Sequence, residues 1–135
     1  MNKLIVTKFD EALLLLRVAF GSMMAFGHGL PKMQNFEKMS GAFADPFGMG
    51  STLSLIMAIG AEFGCSLLLI LGLGTRLAAL PLIVTMLVAV FYAHGADPWK
   101  VKELGVTYLV VYLVILIAGP GRYSLDAKLF GRSPE

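Results

Sequence analysis

From Pro46 to Thr75 the chain carries one charged side chain, Glu62, and beside it one cysteine, Cys65. No other feature restricts the fold as strongly. At about 1.5 Å per residue such a run is long enough, as a helix, to cross a hydrocarbon core about 30 Å thick. Charges and Gly/Pro punctuation cut the chain into four apolar segments: residues 12–30, 52–74, 77–94 and 104–118, the fourth reaching span length only with its ends included. Each is apolar all round rather than along one stripe, as lipid-facing helices are. Lipid offers the backbone no hydrogen-bond partners, so four helices in a bundle satisfy it best. The expected fold is all-α, an integral membrane four-helix transmembrane bundle with short interfacial helices, as one domain over residues 1–135.

Composition agrees. The 135 residues are 57% hydrophobic and 15% charged, where a soluble domain carries about 25% charged residues. The net charge is +2 with scattered basic residues, so nucleic acid is not an expected partner. Cys65 is the only cysteine, which excludes an intramolecular disulfide and any paired-cysteine metal or redox motif. Lys3 and Lys8 resemble the start of a signal peptide, but Asp10, Glu11 and Arg17 interrupt it and no A-x-A site follows, so the first segment is read as a retained span.

Four spans put both termini on one side. Lys3, Lys8, Arg76, Arg122, Lys128 and Arg132 fall there, against Lys32, Lys38, Lys100 and Lys102 on the other, which favours cytoplasmic termini. Phe36, Met39 and Phe43 suggest a short helix on the membrane surface. The stretch "YSLDAKLFGR" suggests another, capped by Ser124, ended by Gly131, with Lys128 and Arg132 near lipid phosphates. Gly60-x-x-x-Gly64 is expected to admit a close helix neighbour, within the bundle or across a dimer.

The ionisable residues are then placed by depth. Arg17 lies roughly 8 Å inside span one and Glu62 near the midplane of span two, within reach of each other. An unpaired charge there costs at least about 2.5–3.5 kcal/mol, so an Arg17–Glu62 pair is expected, or else a protonated Glu62. His28 closes span one, His94 closes span three, Glu103 opens span four, and Lys32 follows His28 by a turn if the helix passes Pro31. Arg17 and His28 share a face, as do Arg76 and His94, so a polar track through the bundle is geometrically open. Each residue also has a plain reading: Arg17 and Glu62 as a register-fixing pair, the histidines as half-solvated, Glu103 as a helix-start carboxylate, Arg76 as a cytoplasmic anchor and Cys65 as an apolar filler. Together they favour a site, because intramembrane ionisable residues mark sites or pathways.

The same residues carry a resemblance. "LLRVAFGSMMAFGHGLPKM" resembles the Leu-Leu-Arg and His-Gly-x-x-Lys signature of the DoxX family. "AEFGCSLLLILGLGTRLAALPL" resembles that family's second and third spans, and "GPGRYSLDAKL" its C-terminal motif. The resemblance runs from about Leu13 to Leu129, and residues 31–51 carry no motif. It implies a small four-helix bacterial inner-membrane protein. Some members are small subunits of a thiosulfate:quinone oxidoreductase, others are linked to quinone handling or membrane-bound oxidative-stress complexes, and many have no known activity. A distant relative is a cargo receptor of the secretory pathway. On motif match, Arg17, His28, Lys32, Glu62, Arg76, His94 and Glu103 carry over as site residues.

Three functions are expected on these grounds. The first is an accessory redox subunit that binds a quinone through Arg17, His28, Lys32, Glu62, His94 and Glu103 as hydrogen-bond donors and proton relays, with Arg76 anchoring. No haem, dinucleotide or Fe–S motif is present, so electrons would come from a partner protein. The second is a small-solute or proton transporter, most easily as a homo-oligomer. The third is a scaffold for a partner. A metal site from His28, His94 and Glu103 is not expected, because the three come from separate spans with no ligand spacing.

Overall fold

The computed structural model describes residues 2–131, and of residues 4–7 the backbone; Arg132 lies outside the described residues. Helix dominates. Span one is α1 (Lys3–Met24), a π-helical turn (Ala25–Gly29) and α2 (Leu30–Gln34) in one rod, followed by the short α3 (Phe36–Met39). Span two is α4 (Ser51–Ile59), a π turn (Gly60–Cys65) and α5 (Ser66–Leu71); span three is α6 (Thr75–Val88) and a π turn (Ala89–Ala93). Span four is α7 (Trp99–Ala118), and α8 (Leu125–Phe130) ends the described chain. Four helices, Lys8–Gln34, Ser51–Leu71, Thr75–Ala93 and Trp99–Ala118, are long and apolar enough to cross a membrane.

The first span runs on past Pro31. Proline has no N–H to give to the ladder, and the wider π turn just before it, where Leu30 N–H reaches Ala25 O, opens that ladder at the right place. Span two stops at Leu71 because Gly72 turns left-handed (φ 69°) and Leu73 N–H closes back on Leu68 O at 2.9 Å. At α8 the Ser124 hydroxyl accepts from Ala127 N–H at 3.1 Å, the expected cap.

The core is formed by Met24, Leu69, Leu82, Met86, Tyr108, Tyr112 and Ile115, with Phe20 packed against it. Spans one and two approach closely at Gly21 and Gly29: a Cβ on Gly29 would lie 2.7 Å from Phe63 N. Within the bundle Gly60 and Gly64 make no such approach, since a Cβ on either meets nothing within 4 Å. The reason is angular. Both stand two residues from Glu62, about 200° round the helix at about 100° per residue, so burying Glu62 turns them outward.

Candidate functional site at the distal end

The end of the bundle that holds Lys8 and α8 is the proximal end, and the opposite end is the distal one. The first and third π turns lie in the distal half of their spans and the second at the middle of span two, and each brings an ionisable side chain to one region: His28 within the first, Glu62 within the second, His94 immediately after the third. A π turn inserts a residue into the helix, opens its hydrogen-bond ladder and often marks a functional site.

Glu62 is buried and its Oε2 lies 2.8 Å from Lys32 Nζ, whose side chain is 19% exposed. This is the pair that makes the carboxylate tolerable. His28 is half-buried, its ring 5.5 Å from Tyr108 in an edge-on contact. Tyr108 stacks on Tyr112 at 6.0 Å. His94 Nδ1 lies 2.8 Å from Asp97 Oδ2, and Lys102 Nζ donates to Gly95 O at 2.8 Å.

Two spaces adjoin this cluster. A cavity of about 160 Å³ is lined by His28, Lys32, Glu62, His94, Lys102 and Tyr108 among others. A groove of about 650 Å³ runs between spans two and three, along Met57, Ala61, Leu80, Val84 and Val88, under a roof that includes Phe43 and Phe47. Lys32, Glu62, Ala89 and His94 line both spaces. The roof is clipped by Asp45, which accepts from Met49 N–H, Gly50 N–H and the Ser54 hydroxyl, each at 2.9 Å. The Gly50 N–H first, with Ser54 and Met49, holds the Asp45 carboxyl below its ordinary value against a smaller effect of burial.

Arg17 does not join this cluster, and the expected Arg17–Glu62 pair is absent. Arg17 is fully buried at the proximal end, where it donates to Leu69 O (3.4 Å) and Tyr123 O. Side chains on a helix lean toward its N-terminus, so Arg17 leans away from Glu62 and toward Asp126, whose charge it feels. Asp126 accepts from Gly74 N–H (2.8 Å) and Thr75 N–H (3.0 Å) at the start of α6. Burial pushes its carboxyl up, but the Thr75 and Gly74 N–H groups, the Thr75 hydroxyl and Arg17 together bring it below the usual value. Asp10 accepts from Arg122 N–H at 3.0 Å, and Arg76 donates to Leu116 O and Ile117 O at the end of α7. The apolar core stands between the two ends, so the polar track expected through the bundle is interrupted.

Of the residues named from sequence, His28, Lys32, Glu62 and His94 thus meet at one cavity; Arg17 and Arg76 lie at the other end. Glu103 is exposed and does not line the cavity, whereas its neighbour Lys102 does. Among the described residues, no three His, Cys, Asp or Glu side chains gather as metal ligands. Sequence reasoning misses Tyr108, Lys102 and Asp97. Two tyrosines one turn apart inside an apolar span, where rings are commoner at the ends, are the available signal for Tyr108.

The DoxX family profile matches residues 12–95. A protein of Haemophilus influenzae is 34% identical over 114 residues, covering 76% of this chain and 80% of its own. The chain belongs to the DoxX family. A second H. influenzae protein is 32% identical over 126 residues, covering 87% and 83%, and both relatives are described only as uncharacterized. No solved structure matches. The family match takes in Arg17, His28, Lys32, Glu62, Arg76 and His94; Glu103, Tyr108 and the C-terminal motif fall outside it. This DoxX protein is therefore an integral membrane protein with a buried ion pair set between an apolar groove and a small polar cavity.

Proposed function

We propose that this DoxX protein is an accessory subunit of a redox system in the bacterial inner membrane, its termini cytoplasmic, and that it binds a quinone or a closely similar lipophilic molecule in the groove between spans two and three. The observation that carries the reading is the groove's polar end: its apolar walls lead to Lys32, Glu62 and His94. A quinone has a flat apolar body and two carbonyl oxygens, which need donors such as Lys32 and the histidines. The groove follows span three from Leu77 to His94, about 25 Å at about 1.5 Å per residue. That exceeds half of a hydrocarbon core about 30 Å thick, so it suits an isoprenoid chain that passes the midplane. When bound, the quinone supplies the electron-accepting group; Lys32 and His94 orient its head, and Glu62 holds a proton beside it. Electrons come from a partner protein.

The test is extraction of the protein, purified in mild detergent with native lipid, and mass spectrometry of its quinones. The variants are Glu62→Gln at the polar end and Val84→Trp, which fills the groove without touching the ion pair. Stoichiometric quinone in the wild type, lost in both folded variants, is expected. No quinone above the lipid background in the wild type overturns the reading.

A further inference from the structure

The groove and the cavity face different media. The groove is walled by apolar residues of spans two and three and adjoins hydrocarbon. The cavity lies at the distal end of the bundle, and its rim includes Val101, Leu104 and His94, each about half exposed. Its 160 Å³ is room for about five waters at about 30 Å³ each, and Lys32, Glu62, His94 and Lys102 in its wall offer them hydrogen-bond partners. Inward it closes on Met24 and Met86, beyond which Leu82, Leu69 and Ile115 are fully buried. Glu62 is thus open to water from one end of the molecule and closed from the other.

We propose that this cavity is the route by which Glu62 exchanges protons with the aqueous phase at the distal end, so that the site takes up and releases protons on the face opposite the termini. The inference rests on Glu62 belonging to the ligand site and adds the side from which that site is supplied. A proton entering through the cavity turns the Glu62 carboxylate into the acid, and the same proton leaves by the same path. The charged and titratable groups around the path are Lys32 from α2, His28 from the first π turn, His94 after the third with Asp97 against its Nδ1, and Lys102, Tyr108 and Tyr112 from α7. An imidazole accepts a proton at one nitrogen and releases one from the other, which suits His28 and His94 to pass it along the wall.

Two measurements on the full-length chain, in sealed vesicles of one orientation and without added quinone, test it. In a Cys65→Ser background, single cysteines replace Leu104 at the rim, Met24 and Glu62 at depth, and Leu82 in the core. A membrane-impermeant thiol reagent is expected to label L104C, M24C and E62C from the distal face, with labelling lost at L82C. M24C leaves the ion pair intact and serves where E62C does not fold. In the second, the infrared band of the Glu62 carboxylic acid, assigned by its loss in E62Q, is followed while pH is stepped on one side. It is expected to follow the distal pH alone. Labelling of M24C or E62C from the proximal face, labelling confined to L104C, or a band that follows the proximal pH overturns the proposal. Neither measurement uses a quinone, so failure of quinone extraction and failure of this route are separate results.

Discussion

Lys32 Nζ and Glu62 Oε2 lie 2.8 Å apart, from a helix that has just passed a proline and from the middle of a π turn. The pair joins spans one and two at the distal end. Removing the cation strands a buried carboxylate, while removing both charges does not. Lys32→Met is expected to lower stability by about 1–3 kcal/mol, the range for a charged group left without its partner; partial exposure of Lys32 keeps it below the 3–5 kcal/mol or so of a fully buried pair. Adding Glu62→Gln to Lys32→Met is expected to restore part of the loss. Thermal unfolding of the two singles and the double in one detergent measures the coupling. A double variant no more stable than Lys32→Met contradicts this account.

At the proximal end, Asp126 ties the C-terminal segment to the start of α6 and to Arg17. Its folded-state pKa is depressed, so its contribution is fully present above the unfolded value of about 3.9 and is lost as pH falls through the folded value. Asp126→Asn is expected to cost about 1–2 kcal/mol at neutral pH, as loss of a helix-start acceptor does. The Tm difference between wild type and variant is expected to shrink as pH drops below about 4. A gap that stays constant into that acid range means Asp126 is not held by these contacts.

The legible part of this molecule is the part that depends on composition and height. The four spans come from hydropathy, and counting residues sets His28, Lys32, His94 and Glu103 near one level, with Glu62 deeper, near the midplane. Azimuth is harder. Counting gives Arg17 a height within reach of Glu62 but not the lean of its side chain, which points it to Tyr123 and Asp126. The π turns have no residue pattern that marks them, and each rotates the rest of its span by about 100° relative to an unbroken α-helix. Within the regular α7, a single step of about 100° separates Lys102, on the cavity, from Glu103, off it.

The glycines test that angular argument. A Cβ at Gly29 would press on backbone, 2.7 Å from Phe63 N and 2.9 Å from Glu62 C. Neither can move without shifting the π turn that carries Glu62. Gly29→Ala is therefore expected to destabilise by about 1–3 kcal/mol, as overpacking does, and to reduce retention of the groove's ligand. Gly60→Ala meets open space and is expected to be neutral or stabilising by up to about 1 kcal/mol. Unfolding curves for the two side by side decide; equal losses would mean that Gly60, too, faces a helix.

The cavity wall gives the sharpest contrast between neighbouring positions. Glu103 is exposed and points off the site, so Glu103→Gln is expected to leave ligand retention and stability unchanged, with a stability change within about 0.5 kcal/mol for a surface position. His28 faces the cavity and packs edge-on against Tyr108 at 5.5 Å. His28→Leu keeps the apolar volume and removes the ring nitrogens, so the protein is expected to fold while its retained ligand falls. Mass spectrometry of the ligand per folded protein compares the two variants directly. If Glu103→Gln lost ligand and His28→Leu kept it, the head-binding group would lie on the outer face of α7 rather than around Glu62.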